Sequence, residues 1–152
     1  MKIVLQNVLN ANVICNDLTI SSIHRGYLLL VSFTFNDNKE ICDKMAEKIS
    51  KLRIFMDDFG KTNKSIYDVN GEILSVSQFT LYADIKKGNR PSFTNCLNYN
   101  EAKELYEYFN NSLRKLNLIV KEGIYGEDMK VSLTNDGPFT LAIDSEELFK
   151  WK

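Results

Sequence analysis

Residues 129–143 read MKVSLTNDGPFTLAI, and the fold turns on how this stretch is taken. Met129, Val131 and Leu133 alternate with Lys130, Ser132 and Thr134, the period-two pattern of a half-buried strand. Phe139, Leu141 and Ile143 resume the alternation against Thr140 and Ala142. Between the two halves stands Asn135-Asp136-Gly137-Pro138. Glycine adopts backbone angles closed to other residues, while proline locks φ and lacks an N–H donor. An X–Pro bond also reaches the cis form for only about 0.5–1 kcal/mol. One reading is a loop between two strands. The other is a rigid backbone wedge whose carbonyls face a ligand, and the rest of the chain has to decide.

The nearest informative neighbour is Glu72–Tyr82, EILSVSQFTLY. Ile73, Leu74, Val76, Phe79 and Leu81 put apolar side chains on both faces, which predicts an interior strand. Ser75, Ser77, Gln78 and Thr80 interrupt it with polar groups. Buried polar groups must be hydrogen-bonded, so these are either satisfied by nearby backbone or line the wall of a pocket. Asp84–Phe93 (DIKKGNRPSF) follows as a loop carrying Lys86, Lys87 and Arg90, the densest basic cluster in the chain. Such clusters are commonly solvated surface, but next to a candidate pocket this one suits a phosphate backbone.

The remaining elements frame these two. Lys2–Leu9 predicts an opening strand, and Ala11–Ile14 and Leu18–Ile20 predict short strands around an Asn16-Asp17 turn. Tyr27–Phe35 is an apolar, β-rich central strand. Asp37 to Glu40 fits a capping box with Asp37 as N-cap. Ile41, Met45, Ile49 and Leu52 then form one helical stripe. Arg53–Phe55 reads as a brief strand, and Asn70-Gly71 as a turn. A second helix starts at Asn98–Glu101, with Ala102, Leu105, Phe109, Leu113 and Leu116 on its apolar face. Leu118–Val120 is a further strand. No repeat or linker divides the chain, so 1–152 reads as a single mixed α/β domain of two main helices and several strands.

Composition narrows the function. At 152 residues folding removes about 68–70% of the chain's surface from water, enough for one proper core. Nineteen Lys and Arg against twenty Asp and Glu argue against gripping nucleic acid by bulk charge, though not against a local basic edge. No 18-residue apolar run is present and the N-terminus alternates like a strand, so a cytoplasmic, non-membrane protein is expected. Cys15, Cys42 and Cys96 are odd in number and widely spaced, which supports neither a disulfide framework nor a zinc site. His24 is the sole histidine. A metal centre and a bound cofactor are therefore not expected.

Ser77-Gln78-Phe79-Thr80-Leu81 together with Asn135-Asp136-Gly137-Pro138-Phe139-Thr140 resembles the D-aminoacyl-tRNA deacylase family, also called D-tyrosyl-tRNA deacylases. Leu52-Arg53-Ile54-Phe55, Gly60-Lys61, Arg90-Pro91-Ser92-Phe93 and Asp128–Leu133 match in the same order, so the resemblance runs over nearly the whole chain. It implies a three-layer fold of mixed β-sheets and a homodimer that hydrolyses the ester joining a D-amino acid to the 3′-terminal adenosine of tRNA. Glycine on tRNA would be cleaved too, having no side chain to exclude. The resemblance implies that Gly137-Pro138 is cis and is inserted into the other subunit's pocket, where its carbonyls hold the amino group and exclude an L side chain. It assigns the ester site to Ser77, Gln78, Phe79 and Thr80, substrate binding to Gly137, Pro138, Asn135, Thr140 and Met129, and tRNA contact to Lys86, Lys87 and Arg90.

Chemistry is compatible with these assignments. Rejecting an enantiomer by three powers of ten in rate takes about 4 kcal/mol, and fixed main chain holds that difference better than a side chain free to swing aside. An aminoacyl ester is already reactive, so positioning and oxyanion stabilisation suffice. Thr80 has no histidine partner, and an unassisted hydroxyl is a poor nucleophile. Assistance by the terminal 2′-OH is the preferred alternative. Two departures stand out: Asn7 occupies a position where the family commonly has an arginine that orients the Gly-Pro segment, and Thr62 replaces a common methionine. The tail Ser145–Lys152 extends past the usual end, with Leu148, Phe149 and Trp151 available for a short helix or a subunit contact. Two rival functions remain: an esterase acting on small D-amino-acid derivatives, and a non-enzymatic RNA-binding module.

Overall fold

In a computed structural model, described over residues 1–150, the chain forms one six-stranded mixed sheet, a small two-stranded sheet and three helices. The strands are β1 (Lys2–Cys15), β2 (Leu18–Ile23), β3 (Gly26–Ser32), β4 (Phe55–Met56), β5 (Thr62–Lys64), β6 (Glu72–Ser77), β7 (Ile119–Glu122) and β8 (Lys130–Asp144). The helices are α1 (Lys39–Lys51), α2 (Tyr99–Lys115) and the short α3 (Ser145–Leu148). The main sheet runs β2-β1-β3-β6-β7, with β8 paired along the other side of β1. β3, β6 and β7 are parallel and the other pairs antiparallel. The two segments expected at the N-terminus are one continuous strand, β1, which turns into β2 through Asn16 and Asp17 at φ +50° and +62°.

Helices α1 and α2 cover one face of this sheet. Met45, Ala46 and Ile49 from α1 and Tyr106, Phe109 and Leu113 from α2 meet Ile3, Leu5, Leu29 and Ile73 in the larger core. On the opposite face Val8, Val13, Ile23, Leu28, Leu74 and Val76 form a second cluster, with Met129, Val131 and Leu133 of β8 packed against it. Gly26 permits the β3–β6 contact, because a Cβ there would lie 1.8 Å from the Glu72 carbonyl oxygen.

Three expectations need correction. Asp37 does not cap α1. Its carboxylate takes the buried N-terminal ammonium of Met1 at 2.6 Å and the Thr34 N–H at 2.8 Å, so Asn38 caps the helix instead, accepting the Ile41 N–H at 3.0 Å. Glu72–Tyr82 is not a strand throughout: β6 ends at Ser77, and Phe79–Tyr82 is a 3₁₀ turn. Finally, 129–143 is not two strands joined by a loop. It is one strand, β8, carrying a bulge: β1 advances from Gln6 to Val8 while β8 runs from Thr140 back to Asn135. α3 supplies the short helix expected in the tail, whereas Trp151 lies outside the described residues.

Candidate active site

The 3₁₀ turn at the end of β6 is held from several sides. The Gln78 N–H donates to the Val31 carbonyl at 2.8 Å. The Phe79 carbonyl accepts from the Ser32 hydroxyl at 3.2 Å and from the Cys96 thiol at 3.3 Å. The Phe79 ring meets Phe93 edge-on at 5.1 Å between centroids. At the start of such a turn the first N–H groups have no partner within it, and among the described residues nothing accepts from the Phe79 or Thr80 amides. The result is a rigid wall with two free donors.

That wall borders a cavity of about 500 Å³. Ser77, Gln78 and Phe79 line it together with Met129, and Val31, Phe33, Leu97 and Ala102 supply apolar surface. Tyr99 and Tyr125 lie at another part of the lining, their rings edge-to-face at 5.2 Å, with Gly126 so near Tyr99 that a Cβ there would meet the ring at 2.7 Å. Partial burial raises the Tyr125 phenol above its ordinary range. Glu127 and Asp128 complete the polar part.

Thr80 does not line this cavity. It is exposed, and its hydroxyl oxygen accepts from the Gln78 side-chain amide at 2.5 Å. An amide N–H cannot remove a proton, so this contact orients Thr80 without activating it. His24 is exposed, gives its backbone N–H to Glu72 and is also absent from the lining. Lys86, Lys87 and Arg90 lie on an exposed loop closed by the Asp84–Ser92 bridge, and none of them forms an ion pair among the described residues.

Gly137 and Pro138 form a cis peptide bond on the β8 bulge, with Gly137 at φ +139°. Both are exposed, and neither they nor Asn135 and Thr140 reach the cavity of their own chain. The bulge is braced from within: Asn135 Oδ1 accepts the Phe139 N–H at 2.9 Å, and Asn135 Nδ2 donates to Thr140 Oγ1 at 3.0 Å. Asn7, opposite the bulge in register, turns into the protein and donates to the Ile54 carbonyl at 2.7 Å.

Comparison with known proteins decides the lineage: the family described as D-Tyr-tRNA(Tyr) deacylase matches residues 4–144. The chain belongs to that deacylase family. It is 51% identical over 144 residues to a D-aminoacyl-tRNA deacylase of Lactobacillus acidophilus, covering 95% of this chain and 99% of that one. A D-aminoacyl-tRNA deacylase of Staphylococcus aureus is 50% identical over 147 residues, 97% of each chain. Among solved structures, one described as c-Myc DNA Unwinding Element Binding Protein superposes with a TM-score of 0.88 at 38% identity, covering 95% of this chain and 98% of that chain. A second, described as a probable eukaryotic D-amino acid tRNA deacylase, gives a TM-score of 0.82 at 17% identity over 93% and 97% of the two chains, a likeness of fold. The mixed α/β architecture expected of this deacylase family is the one observed.

Of the expected site residues, the fold thus gathers Ser77, Gln78, Phe79 and Met129 at one cavity and leaves Thr80, the bulge and the basic loop outside it. Tyr99, Tyr125 and Gly126 were not singled out from sequence. The only available signal was a tyrosine at the start of α2 and another in the glycine-containing loop before β8, which is also what a core aromatic looks like.

Proposed function

We propose that this protein hydrolyses the ester between a D-amino acid, or glycine, and the 3′-terminal adenosine of tRNA, with two copies of the chain completing each site. The supporting observation is the rigid Phe79–Tyr82 turn at the cavity wall, where the unpaired N–H of Phe79, itself a lining residue, suits an oxyanion. In this reading the substrate carbonyl oxygen sits against that amide. Water adds to the carbonyl carbon, the ester C–O bond breaks, and the 3′-oxygen leaves as a hydroxyl with the neighbouring 2′-OH handling the proton. Thr80 does not attack.

The second copy enters because the exposed Gly137–Pro138 projection does not reach its own chain's cavity. β8 is also an edge strand, paired with β1 alone, and carries a half-buried apolar row of Val131, Leu133, Phe139, Leu141 and Ile143. A long unpaired edge of this kind calls for cover. In the dimer each projection enters its partner's cavity, its carbonyls take the α-ammonium, and an L side chain meets main chain. Lys86, Lys87 and Arg90 take tRNA phosphates, and a tRNA substrate sets the work in the cytoplasm. No helix among the described residues is long and apolar enough to cross a membrane.

One assay tests the reading: deacylation of D-Tyr-tRNA, L-Tyr-tRNA and Gly-tRNA by the whole protein, with its mass measured in solution. Turnover of the D and glycyl species only, by a dimer, is expected. Turnover by a monomer would remove the shared site. Equal cleavage of a small D-tyrosyl ester would favour the small-ester rival. Tight tRNA binding with no turnover of any species would favour a nucleic-acid-binding role, such as the 38% identical structure's description gives for that protein.

A further inference from the structure

The bulge in β8 needs something to fix where it stands, because β1 offers one residue, Asn7, against the four residues 136–139. Asn7 is 5% exposed and its amide is engaged by Ile54 on the protein's interior. Neighbouring residues of a strand face opposite ways, so Gln6 faces the side that Asn7 does not. Gln6 is also the direct cross-strand partner of Thr140, the residue on which the bulge closes. Its Nε2 donates to Thr140 Oγ1 at 3.2 Å, while Asn135 Nδ2 donates to the same oxygen at 3.0 Å. Asn135 in turn holds the Phe139 N–H.

We infer that Gln6, acting through the Thr140 hydroxyl and with Asn135, is the positioning residue that sets the stance of the 136–139 projection and so the strictness of the enantiomer filter. The inference rests on the reading of that projection as the filter. It moves Asn135 and Thr140 from substrate contact to bracing. A hydroxyl oxygen has two lone pairs. Both are filled here by amide donors, one anchored in β1 and one inside the bulge, so Thr140 ties the projection to the sheet at a single atom. Gln6 is half-buried in β1, the strand with most sheet pairing, which makes it a firm anchor.

The test is a double-mutant cycle on the whole protein, with Gln6→Leu, Thr140→Val and the pair together. The readout is the ratio of D-Tyr-tRNA to L-Tyr-tRNA deacylation rates, and melting temperature serves as the control for folding. Loss of one such hydrogen bond is expected to lower the ratio about fivefold in Gln6→Leu. The pair should fall no further than Thr140→Val alone, because Gln6 acts through Thr140. Thr140→Ser keeps the hydroxyl and should retain the ratio. Should Thr140→Val not fold, the ratio in folded Gln6→Leu decides by itself, and Gln6→Asn, too short to reach, should match it. An unchanged ratio in folded Gln6→Leu, or independent losses that multiply in the pair, overturns the bracing role. Wild-type protein that cleaves both enantiomers alike overturns the filter itself, a separate failure visible before any variant is made.

Discussion

Replacing Thr80 with alanine separates two accounts of the ester chemistry by a wide margin. In the structure the Thr80 hydroxyl accepts one hydrogen bond, from the Gln78 side-chain amide at 2.5 Å, and Thr80 is exposed. Removing it deletes one hydrogen bond and frees the Gln78 amide to bind water. At about 1 kcal/mol for such a bond the rate should fall roughly fivefold. Loss of a true nucleophile costs roughly a thousandfold or more, about 4 kcal/mol. Single-turnover deacylation of D-Tyr-tRNA by Thr80→Ala therefore distinguishes the two without fine measurement. A tRNA ending in 2′-deoxyadenosine provides the second arm, and its ester is expected to resist the wild-type protein. A thousandfold loss in folded Thr80→Ala, with the 2′-deoxy ester still cleaved, would refute the reasoning and make Thr80 the attacking group.

Other expectations follow from the same geometry. Ser32 is 1% exposed and anchors the Phe79 carbonyl, so Ser32→Ala should cost about 1 kcal/mol of stability and lower kcat more than it raises KM. Unchanged kcat would mean that the turn keeps its amides in place without Ser32. Gly26→Ala puts a Cβ 1.8 Å from the Glu72 carbonyl and should destabilise by about 3 kcal/mol or more, read from the urea midpoint; near-native stability would contradict the β3–β6 contact. Alkaline pH should also destabilise. Burial pushes the Cys42 thiol from 9.0 up to about 12 and the Tyr106 phenol from 10.0 up to about 12, with Tyr27 raised likewise. The unfolded chain sheds these protons first and so binds fewer of them between about pH 9 and 12, which means that stability falls as pH rises through that window. Urea midpoints that stay level from pH 8.5 to 11 would contradict it.

Legibility in sequence tracked the range of the interaction. Helices α1 and α2 were readable because their apolar stripes and polar first turns are local signals, although the cap of α1 was displaced by one residue. Asp37 had a stronger claim on it from the N-terminal ammonium, thirty-six positions away in sequence. The end of β6 was misread for a similar reason. EILSVSQFTLY keeps supplying apolar residues as far as Tyr82, but beyond Ser77 the Ser32 hydroxyl and the Cys96 thiol hold the Phe79 carbonyl in a turn.

By itself the sequence determined the kind of fold, the two motifs and the family, since periodicity and residue identity are properties of the chain alone. It also marked Asn135-Asp136-Gly137-Pro138 as a break in the alternation of that strand. Which residues stand together was decided only by tertiary structure: the cavity joins Ser77, Gln78 and Phe79 to Met129, far along the chain, and leaves Thr80 out. The bulge was decided there too, because it exists only as a mismatch in register between β1 and β8. Periodicity reports which way a side chain points from its own strand. Register reports what it meets, and that depends on a partner strand more than a hundred residues away.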